Sequence, residues 1–269
     1  MIIGNREFET DKHTYIMGIL NVTPDSFSDG GEYNNIDAAL FHAEKMVKEG
    51  ADIIDVGGES TRPGATEVSE NEEIERVVPI IRKIKSEFNI TVSLDTYKPG
   101  TAHEGIKAGA DLINDVWGLK YSDRMAKVIK DAGVACCLMH NRKAHDYINY
   151  PEDFVTDMAG IFDTAIRAGI SEDKIILDPG IGFQKSYDEN LWTLNNMDML
   201  KHFGVPILLG ASRKSVIGNT LNLPVEERLE GTLALTALAV SKGISFVRVH
   251  DVKENKRVID MLEAVYGRN

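Results

Sequence analysis

The residues able to do chemistry in this chain follow one spacing rule: nearly every one closes a short apolar run. Asn21 follows Tyr15–Leu20, Asp55 lies in Asp52–Val56, and Asp95 ends Ile90–Leu94. Asn114 and Asp115 close Asp111–Val116, Met139 and His140 close Val134–Met139, and Asp178 follows Lys174–Leu177. Ser212, Arg213, Lys214 and Ser215 follow Val205–Leu209, while Arg248, His250 and Asp251 close Ile244–Val249. Acids such as Asp95 and Asp178 suit a ligand that presents N–H donors, and the Asn114 amide both donates and accepts, which suits a heterocycle edge. Arg62, Arg213, Lys214, Arg248 and His250 gather cations in a chain of net charge −12, which suits a phosphate or pyrophosphate. Each position also has a purely structural reading: Asp178-Pro179-Gly180 and Asn21-Val22-Thr23-Pro24 as turns, Asp95-Thr96 and Asn114-Asp115 as helix caps. Read together at one rim, they describe a site for a polar heterocycle carrying an anion.

The apolar runs are short and rich in Ile, Val and Leu, as strands buried on both faces are. Between them lie helical patterns, among them Ile36–Glu49, Asn71–Phe88, Asp123–Asp131, Pro151–Ala168 and Val225–Ser241. Gly50, Gly109, Gly133, Gly169 and Gly243 each follow such a pattern and precede a strand. Eight strands alternating with helices imply parallel pairing through right-handed crossovers, and eight units in about 250 residues predict an α/β fold, a (β/α)8 TIM barrel. A doubly wound open sheet is the alternative, but no G-x-G-x-x-G follows the first strand. Met1–Thr10 reads as a short N-terminal hairpin around Gly4-Asn5, lying over the barrel floor. No linker or second hydrophobic core interrupts the pattern, so residues 1–269 are expected to form a single domain.

Composition narrows the function classes. With 30 Lys and Arg against 42 Asp and Glu, the chain lacks the positive field of a general nucleic-acid or anionic-membrane binder. No apolar run reaches the roughly 18 residues of a membrane span, and the opening residues, with Arg6, Glu7, Glu9, Asp11 and Lys12, hold no secretory h-region. Cys136 and Cys137 are adjacent, a poor disulfide geometry in a strand, which fits a reducing compartment. A cytoplasmic enzyme acting on small molecules is expected, with no nucleic-acid and no membrane partner. Thr23–Gly31 and Gly57–Ala65 are long for βα loops and are candidate lids over the rim.

MGILNVTPDSFSDGG, ADIIDVGGESTRPGA, LDTYKP, INDVWG, LDPGIGF, GASRKSVIG and RVHDV resemble, in order, the successive motifs of the dihydropteroate synthase family, from residue 17 to residue 252. The resemblance implies a pterin-binding barrel that joins 6-hydroxymethyl-7,8-dihydropterin pyrophosphate to p-aminobenzoate, giving 7,8-dihydropteroate and pyrophosphate for folate biosynthesis. It also implies Mg²⁺ as cofactor, competition by sulfonamides and a homodimer. Carried over by position, Asp95, Asn114, Asp178 and Lys214 would hold the pterin. Asn21, Arg248 and His250 would hold the pyrophosphate, with Asn21 also the metal-side residue. Thr61, Pro63, Ser215 and Phe27 would shape the p-aminobenzoate pocket beside Arg213 and Lys214. Arg62, Met139, Phe183 and Gly210 complete the substrate-binding set. Asp29, Lys214 and Arg248 are the catalytic candidates, Asp29 by supporting charge at the reacting carbon. Because a free arylamine is already a neutral nucleophile, a dissociative substitution without a covalent enzyme intermediate is expected.

Asn141, Gln184 and Val216 depart from the family's usual pattern, at positions of loop packing or pocket rim. Three other functions share some of these features. A pterin-binding methyl-transfer module would use the same barrel, but SRKS and both long loops serve an amine and a pyrophosphate that it lacks. A Schiff-base aldolase would need a depressed Lys214, which the nearby acids oppose. A paralogue that binds pterin without catalysis would not need every site residue to be present. Gly231–Val240 is apolar nearly all round, so it is buried on more than one side, either in the barrel or against a second subunit.

Overall fold

A computed structural model describes residues 1–23, 32–60 and 67–268. Two short antiparallel strands, β1 (Ile2–Ile3) and β2 (Arg6–Glu7), open the chain, with Ile3 paired to Arg6 as the hairpin around Gly4-Asn5 requires. Strand and helix then alternate: β3 (Tyr15–Asn21), α1 (Glu32–Glu49), β4 (Ile53–Gly57), α2 (Glu70–Glu87), β5 (Thr91–Asp95), α3 (Pro99–Ala108), β6 (Leu112–Asp115) and α4 (Asp123–Ala132). The second half continues with β7 (Ala135–Met139), α5 (Tyr150–Arg167), β8 (Ile175–Asp178), α6 (Tyr187–Asn196), β9 (Leu208–Leu209), α7 (Ser215–Leu221), α8 (Leu229–Ser241), β10 (Phe246–Val249) and α9 (Val252–Tyr266).

All eight strands from β3 to β10 run parallel, in the order β8-β7-β6-β5-β4-β3-β10-β9. The two ends meet through a parallel bridge between Leu177 and Ile207, where the Leu177 N–H donates to the Pro206 carbonyl at 3.0 Å. The sheet is therefore a closed (β/α)8 barrel, and the open-sheet alternative fails on strand order. Along each strand alternate side chains part company, as the period of two dictates. Ile54, Val56, Val92, Leu94, Ile113 and Cys136 point outward into the layer of helices. Met17, Ile53, Leu112, Ala135, Cys137, Ile176, Leu208 and Phe246 fill the barrel interior.

The hairpin supplies the floor. Ile3 and Phe8, both fully buried, join that interior cluster, and Phe8 meets Tyr15 edge-to-face at 4.8 Å. Arg6 ties the hairpin to the strand bottoms, donating to the Asp52 carboxylate at 2.5 Å and to its carbonyl at 3.1 Å. Each such buried side chain contributes roughly 1.5–3 kcal/mol. With one end plugged, the polar strand ends collect at the other.

Helix starts follow local chemistry. Ser69 and Ser122 cap α2 and α4, and Ser186 with Glu189 forms a reciprocal capping box on α6. The five glycines expected to stop helices all adopt left-handed backbone. Several boundaries differ from the sequence reading, α1 beginning at Glu32 rather than Ile36, and two of the differences bear on the barrel wall. The seventh barrel strand, expected over Val205–Leu209, pairs as a strand only at Leu208–Leu209. Val225–Ser241 is divided: a 3-10 turn at Val225–Glu227 precedes α8, because Arg228 turns inward to donate to the Leu223 carbonyl at 3.1 Å and the Arg213 carbonyl at 3.0 Å.

Candidate active site

Sheet register assembles one side of the rim directly. Asn21 lies beside Gly57, Gly57 beside Asp95, and Asp95 beside Asn114, across four consecutive strands. On the opposite wall Met139 lies beside Asp178. Arg248 of β10 reaches across the interior, donating through Nε to Asp55 Oδ2 at 2.5 Å and through a terminal nitrogen to Asp95 Oδ2 at 2.7 Å. Asn114 Nδ2 donates to the same Asp55 oxygen at 3.1 Å. A guanidinium thus bridges two buried carboxylates, while Asp55 Oδ1, Asp95 Oδ1 and the Ser93 hydroxyl are buried without a hydrogen-bond partner. Such orphans cost about 1–3 kcal/mol each when no donor is supplied. A ligand edge rich in N–H groups would satisfy the carboxylates.

Asp178 is held by the turn that it opens. Its Oδ1 accepts the Gly180 N–H at 2.7 Å, so the turn reading of Asp-Pro-Gly and the functional reading are both true of one side chain. Its other oxygen faces Gly210, where an added Cβ would sit only 3.3 Å away and 4.0 Å from Lys214 Nζ. Gly210 therefore keeps open the space between acceptor and ammonium. Lys214 donates to the Ile181 carbonyl at 2.5 Å and lies 4.6 Å above the Phe183 ring. Phe183 and Met139 join Tyr97, Val116 and Trp117 in a small apolar cluster at the rim, a flat wall beside the polar groups. This combination of apolar wall and a few placed donors and acceptors is the usual make-up of a heterocycle site.

Burial sets the protonation of these groups. It raises the Asp95 carboxyl to about 7, with Arg248 pulling down and Asp55 pushing up. It raises Asp178 as well, opposed by Lys214 and the Gly180 N–H. Burial lowers Lys214 to about 8, opposed by Asp178 and reinforced by Arg248. That depression is the property the aldolase alternative needed, so titration alone does not dismiss it.

Other expected residues lie differently. Asp115 takes the structural role, accepting the Trp117 N–H at 2.9 Å and the Leu119 N–H at 2.8 Å. Arg213 forms a bidentate pair with Asp251 at 2.9 and 2.6 Å, on a left-handed backbone (φ 57°). Ser212 Oγ lies 3.0 Å from His250 Nδ1, placing His250 beside the SRKS turn. Ser215 is exposed at the first turn of α7. Asn21 is half-buried at the rim. Phe27, Asp29, Thr61, Arg62 and Pro63 lie outside the described residues. Among the described residues no group of three or more His, Cys, Asp and Glu is arranged to hold a metal. Sequence reasoning noted Asp55 without giving it a role, and passed over Ser93 and Tyr97. An acid inside the apolar IIDVG strand, two residues below its end, was the available signal.

Fold and site together define a closed-barrel enzyme whose rim accepts a polar heterocycle through acids, an amide and a lysine. Residues 17–250 match the family described as pterin binding enzyme. The dihydropteroate synthase of Clostridium beijerinckii is 56% identical over 269 residues, covering 100% of both chains. That of Bacillus subtilis is 50% identical over 255 residues, 95% of this chain and 90% of its own. The solved dihydropteroate synthase of Clostridium difficile, determined in the presence of pteroic acid, superposes with a TM-score of 0.94 at 49% identity, covering 97% of this chain and 99% of that one. The Yersinia pestis dihydropteroate synthase in complex with a sulfonamide drug gives 0.92 at 39% identity over 99% of each chain. The chain belongs to the pterin-binding enzyme family and, within it, to the dihydropteroate synthases. It is a transferase of folate biosynthesis that condenses 6-hydroxymethyl-7,8-dihydropterin pyrophosphate with p-aminobenzoate. That membership removes the aldolase alternative.

Proposed function

We propose that the rim groups carry out this condensation by dissociative substitution, with Asp178, Asp95, Asn114 and Lys214 holding the pterin. The observation that carries the reading is the Asp55–Arg248–Asp95 bridge with its orphaned buried carboxylate oxygens. Pterin amino and ring N–H groups would meet Asp178 and Asp95, and Lys214 would donate to a ring acceptor. Once Asp95 has ligand donors, Arg248 is freed to turn one nitrogen toward the pyrophosphate, with His250 beside it. The bond between the exocyclic methylene carbon and the pyrophosphate oxygen breaks, and its electron pair leaves with the oxygen. The remaining methylene cation is conjugated with the pterin. The arylamine lone pair then forms the C–N bond and the nitrogen loses a proton. Asp29 is assigned to support the cation, and Phe27, Thr61, Arg62, Pro63 and Ser215 to the amine pocket, which is also where sulfonamides would compete.

Mg²⁺ fits the donor set of the rim. It takes few protein ligands and completes its shell with water and substrate phosphate oxygens, and Asn21 offers a hard amide oxygen at a strand end, separated from Asp95 by Gly57. When bound, the ion would supply charge neutralisation on the departing pyrophosphate. We further propose a cytoplasmic, single-domain protein that pairs as a homodimer over α8 and α9. On α9 Met261 and Val265 are each 64% exposed, while α8 turns Thr232 and Thr236 inward and leaves Ala234 outside. No helix among the described residues is long and apolar enough to cross a membrane.

The reading is tested with ring-substituted anilines in place of p-aminobenzoate at saturating amine. Turnover that hardly changes with amine basicity is expected when departure precedes attack. A steep dependence on basicity would show that the amine helps to expel pyrophosphate.

A further inference from the structure

Beneath the pterin wall lies a buried cluster that the reaction does not touch. The Lys185 ammonium donates to the Gly180 carbonyl at 2.8 Å, to the Phe183 carbonyl at 3.1 Å and to His140 Nδ1 at 2.9 Å. In its charged form three protons thus meet three acceptors, the full donor capacity of an ammonium, a form that burial confines to pH below about 7. His140, fully buried, presents its other ring nitrogen to Asp157 Oδ2 at 3.0 Å, and Arg142 holds that same carboxylate at 2.6 Å. This partner on Nε2 leaves Nδ1 as the acceptor that Lys185 needs. Burial also lowers the His140 ring to about 4, so it stays neutral.

The peptide groups that Lys185 grips belong to the turn that presents the pterin residues. Gly180 donates to Asp178, and its own φ of 68° brings it against the His140 backbone, with an added Cβ 3.2 Å from Lys185 Nζ. Phe183 stands under Lys214. Asn190 fixes the remaining side of the turn, accepting the Gly182 N–H at 2.6 Å and donating to the Lys185 carbonyl at 3.2 Å.

We infer that Lys185, backed by His140 and Asp157, is a positioning residue that sets Asp178 and the Phe183 ring for the pterin. It makes no contact with substrate and acts through the 180–183 turn. The inference rests on the pterin site described above. A misplaced acceptor and ring weaken ground-state and transition-state binding of the pterin together, and leave the amine pocket untouched.

The test measures calorimetric binding of 6-hydroxymethyl-7,8-dihydropterin pyrophosphate, the KM of each substrate, kcat and thermal melting for Lys185→Met and Lys185→Arg. A rise of roughly tenfold or more in pterin Kd and KM is expected for Lys185→Met, with p-aminobenzoate KM and kcat changed much less. Lys185→Arg keeps the charge but places a planar fork where a tetrahedral donor sits, so it should recover only part of the pterin affinity. A role confined to stability would lower the melting temperature and the active fraction while leaving pterin Kd unchanged, and that result overturns the inference. If Lys185→Met does not fold, a folded Lys185→Arg enzyme with wild-type pterin Kd overturns it equally. Failure of the catalytic reading would appear separately, as wild-type protein that binds the pterin and forms no product; the variants' Kd would still decide the role of Lys185.

Discussion

Arg248 sits between Asp55 and Asp95 because neither carboxylate has another cation within reach of its oxygens among the described residues. At this scale the site is a set of groups whose charge is conditional. Asp95, raised to about 7, and Lys214, lowered to about 8, both titrate near neutrality. Below about 7 the Asp95 carboxyl takes a proton and loses acceptor capacity, and above about 8 the Lys214 ammonium loses a donor. Pterin affinity is therefore expected to peak between those values and to fall on both sides, measured by calorimetry from pH 5.5 to pH 9.5 (roughly one to two units beyond each limb). Lys214→Met should lower the peak and leave only the alkaline limb of Lys185, which burial lowers to about 7. The sign for stability is opposite in kind. A carboxyl raised in the folded state contributes stability that is present below its unfolded value near 3.8 and lost as pH rises through about 7. Bound pterin should offset that loss.

The elements show how a local rule is broken at a functional turn. Gln184 follows the LDPGIGF run and adopts φ 45°, a left-handed backbone that costs a side-chain-bearing residue about 1–2 kcal/mol. Lys185 and Asn190 hold the turn and impose that conformation. Gln184→Gly is expected to raise stability by about 0.5–1 kcal/mol, after the entropy that glycine adds to the unfolded chain, in urea melts. Unchanged or lower stability would mean that the Gln184 side chain contributes more than its backbone strain costs. Most elements were legible from pattern: runs such as Tyr15–Leu20 and Lys174–Leu177 are rich in Ile and Leu, and several of the helices between the strands carry caps. What local pattern missed has a long-range cause. Arg228 breaks the Val225–Ser241 helix by reaching Arg213, and β9 is short because Pro206 lies at the seam where the barrel closes. In the site, the strand-end acids, amide and lysine were legible from their positions. The Arg248 bridge and the Lys185 hub were not, since each joins residues far apart in sequence through side-chain reach. Asp115 shows the converse, a rim acid whose carboxylate serves its own turn.

For the whole molecule, the division between ends of the barrel explains why an acidic protein can bind an anionic substrate. The hairpin seals one end with Ile3 and Phe8, where Arg6 is neutralised by Asp52, while Lys214 and Arg248 stand at the other. Outside the barrel, the exposed apolar face of α9 is the feature that a second subunit would cover. Val265→Asp is expected to shift sedimentation from dimer to monomer while leaving the barrel folded; a variant that sediments as wild type would place the interface elsewhere. Coupling of pyrophosphate departure to amine capture is the task of this rim. Its most direct test is to follow pyrophosphate release and dihydropteroate formation together in Mg²⁺ buffer, in wild-type protein and in Asp178→Ala. Equal amounts of the two products in wild type, with kcat/KM for the pterin substrate lowered by about a hundredfold or more in the variant, is the expected result (roughly the 3 kcal/mol of a charged hydrogen bond). Pterin binding without either product in wild type, or an undiminished Asp178→Ala enzyme, would contradict it.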